Sequence, residues 1–202
     1  NAIGAILNVD GELENQATVT AEDPNGTPVT DESDDNTPDN TDDGTPADPT
    51  PLRLPAIATT KALTDATLLG DGMYQLTFKI KVENTGLDTL TNLTLTDPLP
   101  FAILGAPLVS VTEMLSTTGV TPNGSYTGQP GFTSLIVDAG AIMAPGDGYV
   151  VDLVVVVNPA VLALLPQPVV NQAIAGGDGQ SSGLTVTDTS DDGTNAPGDG
   201  DP

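Results

Sequence analysis

The chain has 202 residues, with 28 Asp or Glu against 4 Lys or Arg, a formal charge of −24, and neither histidine nor cysteine. A surface so acidic excludes nucleic acid as a natural partner and disfavours anionic membranes, because phosphate contacts need clustered cations. Without histidine there is no Ser-His-Asp triad, and without cysteine there is no disulfide framework, so an enzyme is not expected and the fold must hold by packing alone.

Gly, Pro, Thr and Asp are abundant while Glu, Lys and Arg are scarce, which is the reverse of what long helices want. An all-β fold with many turns is expected. No apolar run reaches the length of about 18 residues that a spanning helix needs, so direct membrane insertion is not expected. No signal peptide is read at the start of the sequence, which opens on Asn1 rather than Met, and a processed or excised piece is expected.

Taken in order, residues 1–21 contain a short apolar run (1–7) and a strand (16–21). They read as the last strands of a preceding repeat, or as a strand that inserts into a neighbour's sheet. Residues 22–51 carry Val29 as their one large apolar side chain and are dominated by Thr, Asp, Asn and Pro. Such a segment cannot bury a core and is expected as an extended acidic connector.

The globular part is expected over 52–177, opening with a strand at 54–62. The clearest strand is 73–84, where Tyr74, Leu76, Phe78, Ile80 and Val82 alternate with Gln75, Thr77, Lys79, Lys81 and Glu83. That period of two gives one buried and one wet face. Lys79 and Lys81 on the wet face would pair with an acidic connector or protect an edge. Further strands are expected at 89–96, 109–115, 132–137, 149–157, 169–175 and 184–187, with a helical turn or loop at 160–165. The 149–157 stretch is apolar on both faces apart from Asp152, which suits a central strand or one covered by another subunit. About seven strands with turn signals between them argue for a β-sandwich. All six aromatic residues (Tyr74, Phe78, Phe101, Tyr126, Phe132, Tyr149) fall here, which places the core in this unit.

Residues 178–202 read as a second acidic connector. It contains Thr187-Asp188-Thr189-Ser190-Asp191-Asp192-Gly193-Thr194, which matches Thr30-Asp31-Glu32-Ser33-Asp34-Asp35-Asn36-Thr37 at six of eight places. A hard cation takes six to eight oxygens, so the chain must curl and aim alternate side chains inward. Asp188, Ser190, Asp192 and Asp199, with the turn at Gly193, have that spacing; Asp31, Ser33, Asp35 and Asp42, with Asn36, have a weaker version. Calcium is the expected ion, and a solvated acidic tether is the alternative. The motif Asn15-Gln16-Ala17 also recurs 156 residues later as Asn171-Gln172-Ala173, so the chain reads as a little more than one turn of a long repeat.

Four phrases occur in order: Glu83-Asn84-Thr85-Gly86; Leu90-Thr91-Asn92-Leu93-Thr94-Leu95-Thr96-Asp97-Pro98-Leu99-Pro100; Ala144-Pro145-Gly146-Asp147; and Asn171-Gln172-Ala173. Together they resemble the conserved immunoglobulin-like repeat of large bacterial and archaeal surface proteins. The resemblance implies an immunoglobulin-like β-sandwich serving as a spacer or assembly unit at the cell surface, with no catalytic residues to carry over. The function expected is therefore structural and extracellular: a repeat of an adhesin stalk or a filament subunit, stiffened by calcium and joined to adjacent repeats or to copies of itself head to tail. The alternative is an adhesin module that binds a glycan or protein through the loop 121–131, a reading that a cluster of exposed aromatics would favour and for which the loop offers only Tyr126.

Overall fold

A computed structural model describes residues 6–7, 13–15, 17–32, 50–100, 108–116, 120–137, 140–166 and 168–191. The chain divides into two compact units, Asn1–Arg53 and Leu54–Pro202.

In the first unit the strands are β1 (Ile6–Leu7), β2 (Leu13–Asn15), β3 (Thr18–Glu22), β4 (Pro28–Glu32) and β5 (Thr50–Leu52). They form a sheet of order β1-β2-β5 and a separate β3-β4 hairpin. The hairpin occupies the start of the stretch expected as a connector from residue 22 onward. Its turn is built by Asp23, whose Oδ1 accepts from Asn25 N and Thr27 N at 2.8 Å each. Those two bonds hold the Asp23 carboxyl below the usual range. Every described side chain of β3 is exposed, so this strand carries no burial signal in the sequence.

The second unit holds β6 (Ile57–Leu68), β7 (Tyr74–Asn84), β8 (Leu90–Thr96), β9 (Leu108–Ser116), β10 (Thr121–Pro122), β11 (Ile136–Val137), β12 (Gly148–Val157), the single-turn helix α1 (Pro159–Leu162), β13 (Ile174–Gly179) and β14 (Thr185–Thr189). A four-stranded sheet has the order β6-β7-β12-β9 and a three-stranded sheet the order β14-β13-β8, each antiparallel throughout; β10 and β11 form a small ribbon. One parallel contact, Thr60 with Asp191, sets the end of the described chain beside its first strand.

Both sheets supply the core. Ile80 and Val82 of β7 and Val151 and Leu153 of β12 cluster with Leu95 of β8 and Ala175 of β13. The alternation on β7 puts Phe78, Ile80 and Val82 inside while Lys79 and Lys81 stay in water. β12 lies between β7 and β9: Tyr149, Val151, Leu153, Val155 and Val157 face the core and are buried, and the residues between them, flanked by the side chains of both neighbouring strands, are half-buried. Because β7 is flanked by β6 and β12, its lysines do not guard an edge. Lys79 pairs instead with Asp152 (3.5 Å) and Lys81 with Glu83 (2.5 Å), on an exposed face where such pairs are worth little.

The expected division after residue 177 falls inside β13, and the segment expected as a second connector supplies β14 and the Asp191 contact. The expected strand 132–137 shrinks to β11. β8 carries a bulge: Asn92 has φ 51, and the register against β13 shifts between Gly176 and Asp178. Asn is among the few side chains that take this left-handed backbone, and its Nδ2 donates to Asp178 Oδ2 at 2.9 Å. No helix among the described residues is long and apolar enough to cross a membrane.

Candidate functional site

The chemistry of the second unit concentrates in two places, one inside it and one at the end of its last described strand. The interior cluster starts from Lys61. Along β6 the alternation brings Ile57, Thr59 and Lys61 inward, so a lysine arrives at a core position. Its Nζ lies 2.5 Å from Asp97 Oδ2, with the two side chains 1% and 0% exposed. The same nitrogen sits 4.8 Å from the centre of the Phe78 ring, on the inner face of β7.

Asp97 follows directly on β8, in the Asp97-Pro98-Leu99-Pro100 run where proline ends the ladder. Its backbone is held on both sides: Asp97 N donates to Thr133 O (2.8 Å), and Asp97 O accepts from the Tyr126 hydroxyl (2.9 Å). Burial pushes the Lys61 amine below its ordinary value against the pull of Asp97, and burial pushes the Asp97 carboxyl above its ordinary range against the pull of Lys61. Burial, aided by the Asp97 charge, also drives the Tyr126 phenol upward. Among the described residues, Asp97 Oδ1 and both amide atoms of Asn171 are buried with no hydrogen-bond partner.

The second place is the turn out of β14. Asp188 Oδ2 accepts from Thr59 N (2.6 Å), and Ser190 Oγ accepts from Ala173 N (2.9 Å). Both therefore tie the last strand to its neighbours. Asp191 is 6% exposed, and its Oδ2 has no partner among the described residues. Burial raises the Asp188 carboxyl, the Thr59 N–H opposes that, and the nearby Asp191 charge raises it further.

Of the expected calcium ligands, Asp188 lies in β14, paired with Ala175, and Ser190 follows the strand directly. Asp31 lies in β4 of the first unit, where its backbone pairs with Val19. Ser33, Asp35, Asp42, Asp192 and Asp199 lie outside the described residues. Among the described residues no group of three or more acidic side chains is gathered closely enough to hold a metal ion. Asp191, which the loop pattern leaves unassigned, is the carboxylate that the spacing argument passed over.

The loop 121–131 turns its one aromatic side chain inward. Tyr126 is 5% exposed and spends its hydroxyl on Asp97, so it offers no platform for a ligand, whereas Phe132 beside it is 55% exposed. Sequence reasoning also missed Lys61. The signal was present: with only 4 cationic residues in the chain, one of them stands in phase with the inward positions of an apolar strand.

No family model, no curated protein and no solved structure matches the chain.

Proposed function

We propose that this chain is a structural unit of an extracellular, cell-surface stalk or filament, and that its second unit is an immunoglobulin-like sandwich through which force passes. Support for the fold comes from strand order. Naming β6 to β9 A to D and β12 to β14 E to G, the sheets read A-B-E-D and G-F-C, the arrangement of constant-type immunoglobulin domains.

The observation that carries the mechanical reading is the parallel contact between the first strand and the end of the last. Lys61 N donates to Asp191 O (2.8 Å), Asp191 N to Thr59 O (3.3 Å), and Thr59 N to Asp188 Oδ2 (2.6 Å). Pulling the two ends apart draws parallel strands past each other. All three bonds then strain together, whereas bonds at a hairpin end open one after another. Calcium enters this reading as the ion that Asp188 and Asp191 would help to hold, neutralising two crowded carboxylates at the exit of the unit. Copies of the chain, or adjacent repeats of it, are the partners.

Single-molecule force spectroscopy on the full chain tests the proposal. A mechanically strong unfolding event is expected, weakened in Asp191→Pro, which removes the bond to Thr59 O. Unfolding at low force, unchanged in that variant, overturns it. Electron microscopy then separates polymers with a regular axial repeat from monomeric stalk pieces. The exposed Phe132 favours a second reading, a ligand-binding module, which glycan-array binding abolished by Phe132→Ala would support.

A further inference from the structure

Three groups inside the second unit are poorly served as an ordinary core. An ammonium has three donors, yet Lys61 has one hydrogen-bond partner among the described residues, Asp97, and otherwise faces the Phe78 ring. Asp97 keeps Oδ1 unpaired, and Asn171 keeps its whole carboxamide unpaired. Buried polar groups in native proteins are nearly always bonded, so three such failures at one end of the core call for a cause.

Their placement supplies one. β13 pairs with β8 from Ile174 opposite Thr96, and continuing that register backwards brings residue 173 level with Asp97. Ala173 and Ala175 are fully buried, and both amide atoms of Asn171, two residues before Ala173, are buried as well. Lys61 approaches from the opposite sheet, on β6, and meets Asp97. An amine and a carboxyl in contact, and a buried primary carboxamide on the segment that runs alongside Asp97, are thus brought to one end of the core.

The geometry points to an amide bond that forms by itself between Lys61 Nζ and Asn171 Cγ, with Asp97 as the proton carrier. Burial disfavours the charges on both Lys61 and Asp97, so a proton passes from the ammonium to the carboxylate and leaves a neutral, nucleophilic amine. The nitrogen lone pair attacks Asn171 Cγ. The protonated Asp97 gives its proton to Asn171 Nδ2, the Cγ–Nδ2 bond breaks, and ammonia departs. Asp97 then takes the surplus proton from the new amide nitrogen and hands it on to the ammonia. A primary amine and a primary carboxamide become a secondary amide and ammonia, with no oxidant, cofactor or energy source. Asp97 itself is the poorer acyl partner: a Lys61–Asp97 amide would consume the proton carrier and leave the Asn171 carboxamide still unpaired. The product ties the first strand to the segment entering β13 and removes a buried ion pair.

The test is mass spectrometry on the purified full chain. The intact protein is expected to be lighter than its sequence by one ammonia. An asparagine can lose ammonia by cyclising on its own backbone, so digestion decides. Trypsin cuts after Arg53, Lys61, Lys79 and Lys81. The linked chain resists cleavage at Lys61 and yields residues 54–79 joined to 82–202 as one branched product. Asp97→Asn and Lys61→Arg, each verified as folded by circular dichroism, are expected to keep the full mass and release no branched product. A loss of one water with a Lys61–Asp97 branch overturns the assignment to Asn171, and linkage in Asp97→Asn overturns the role of Asp97. Full mass with normal cleavage at Lys61 in the parent protein overturns the bond altogether. None of these outcomes depends on whether the chain builds filaments.

Discussion

The hydroxyl of Tyr126 donates to the backbone carbonyl of Asp97 across 2.9 Å, in a site where the phenol is 5% exposed and the aspartate fully buried. The loop that carries Tyr126 thereby fixes the residue that faces Lys61. Tyr126→Phe keeps the ring and leaves a buried carbonyl unpaired, a loss of about 1–3 kcal/mol. Denaturant unfolding should show that loss with an unchanged m-value. Because burial drives the phenol upward, the variant should also leave the absorbance titration near the ordinary phenol range unchanged.

Asp88 anchors the β13–β14 turn. Its Oδ2 accepts from Ser182 N (2.9 Å), and both of its oxygens accept from Ser181 N (3.1 Å). Burial pushes its carboxyl up, but those N–H donors outweigh it and leave the net value below the usual range. A depressed folded-state value means that the stabilisation is complete above the unfolded carboxylate value of about 3.9 and fades as pH falls through the folded one. Asp88→Asn should therefore cost about 1–3 kcal/mol at neutral pH. The gap to the parent protein should narrow in unfolding curves as pH falls below the unfolded carboxylate value and through the lower folded one; a gap that stays constant as the medium is acidified would refute the assignment.

Gly86 closes the Asn84-Thr85-Gly86 turn, where the Asn84 amide donates to Asp88 O and Met143 O at 2.8 Å each. A Cβ on Gly86 would overlap the backbone of Leu54, Pro55 and Ala56, none of which is a movable side chain. Gly86→Ala should cost about 1–3 kcal/mol or more. Gly124→Ala, with nothing within 4 Å of the added carbon, should change stability by less than about 0.5 kcal/mol. Thermal melts of the two variants side by side provide the check.

If calcium joins Asp188 and Asp191, chelation with EDTA should lower the melting temperature by roughly 5–10 °C at an ion concentration about a hundredfold above Kd. The double variant Asp188→Asn, Asp191→Asn should melt higher than the parent in EDTA, because the repulsion is gone, and should ignore added calcium. Asp188→Ala with Asp192→Ala should likewise lose the calcium response. A parent protein indifferent to EDTA removes the ion from the account.

What was legible in the sequence followed burial. β7 announced itself because one face is wet and the other dry, and β12 because its run is apolar on both faces apart from Asp152. β4 was hidden for the opposite reason, since its partner β3 buries nothing. β13 was placed too early because Ile174-Ala175-Gly176-Gly177-Asp178-Gly179 looks like a turn; its glycines instead admit close neighbours, a Cβ on Gly176 falling 2.8 Å from Thr94 Oγ1. Asp97 and Asn171 stood out only as punctuation in familiar phrases. Their chemistry depends on Lys61, which the chain brings from the other sheet, and no local pattern carries that distance.

Thr59 and Asp188, 129 residues apart in sequence, share a hydrogen bond at the seam where the first strand meets the last. Closing so long a loop is entropically expensive before any contact rewards it, and folds dominated by such distant pairings form in milliseconds to seconds rather than microseconds. During synthesis the leading edge of β6 stays open until almost the whole unit has left the ribosome. The seam is thus a completion signal: a chain truncated before residue 185 has nothing with which to seal its opening strand, and only a finished one can shut.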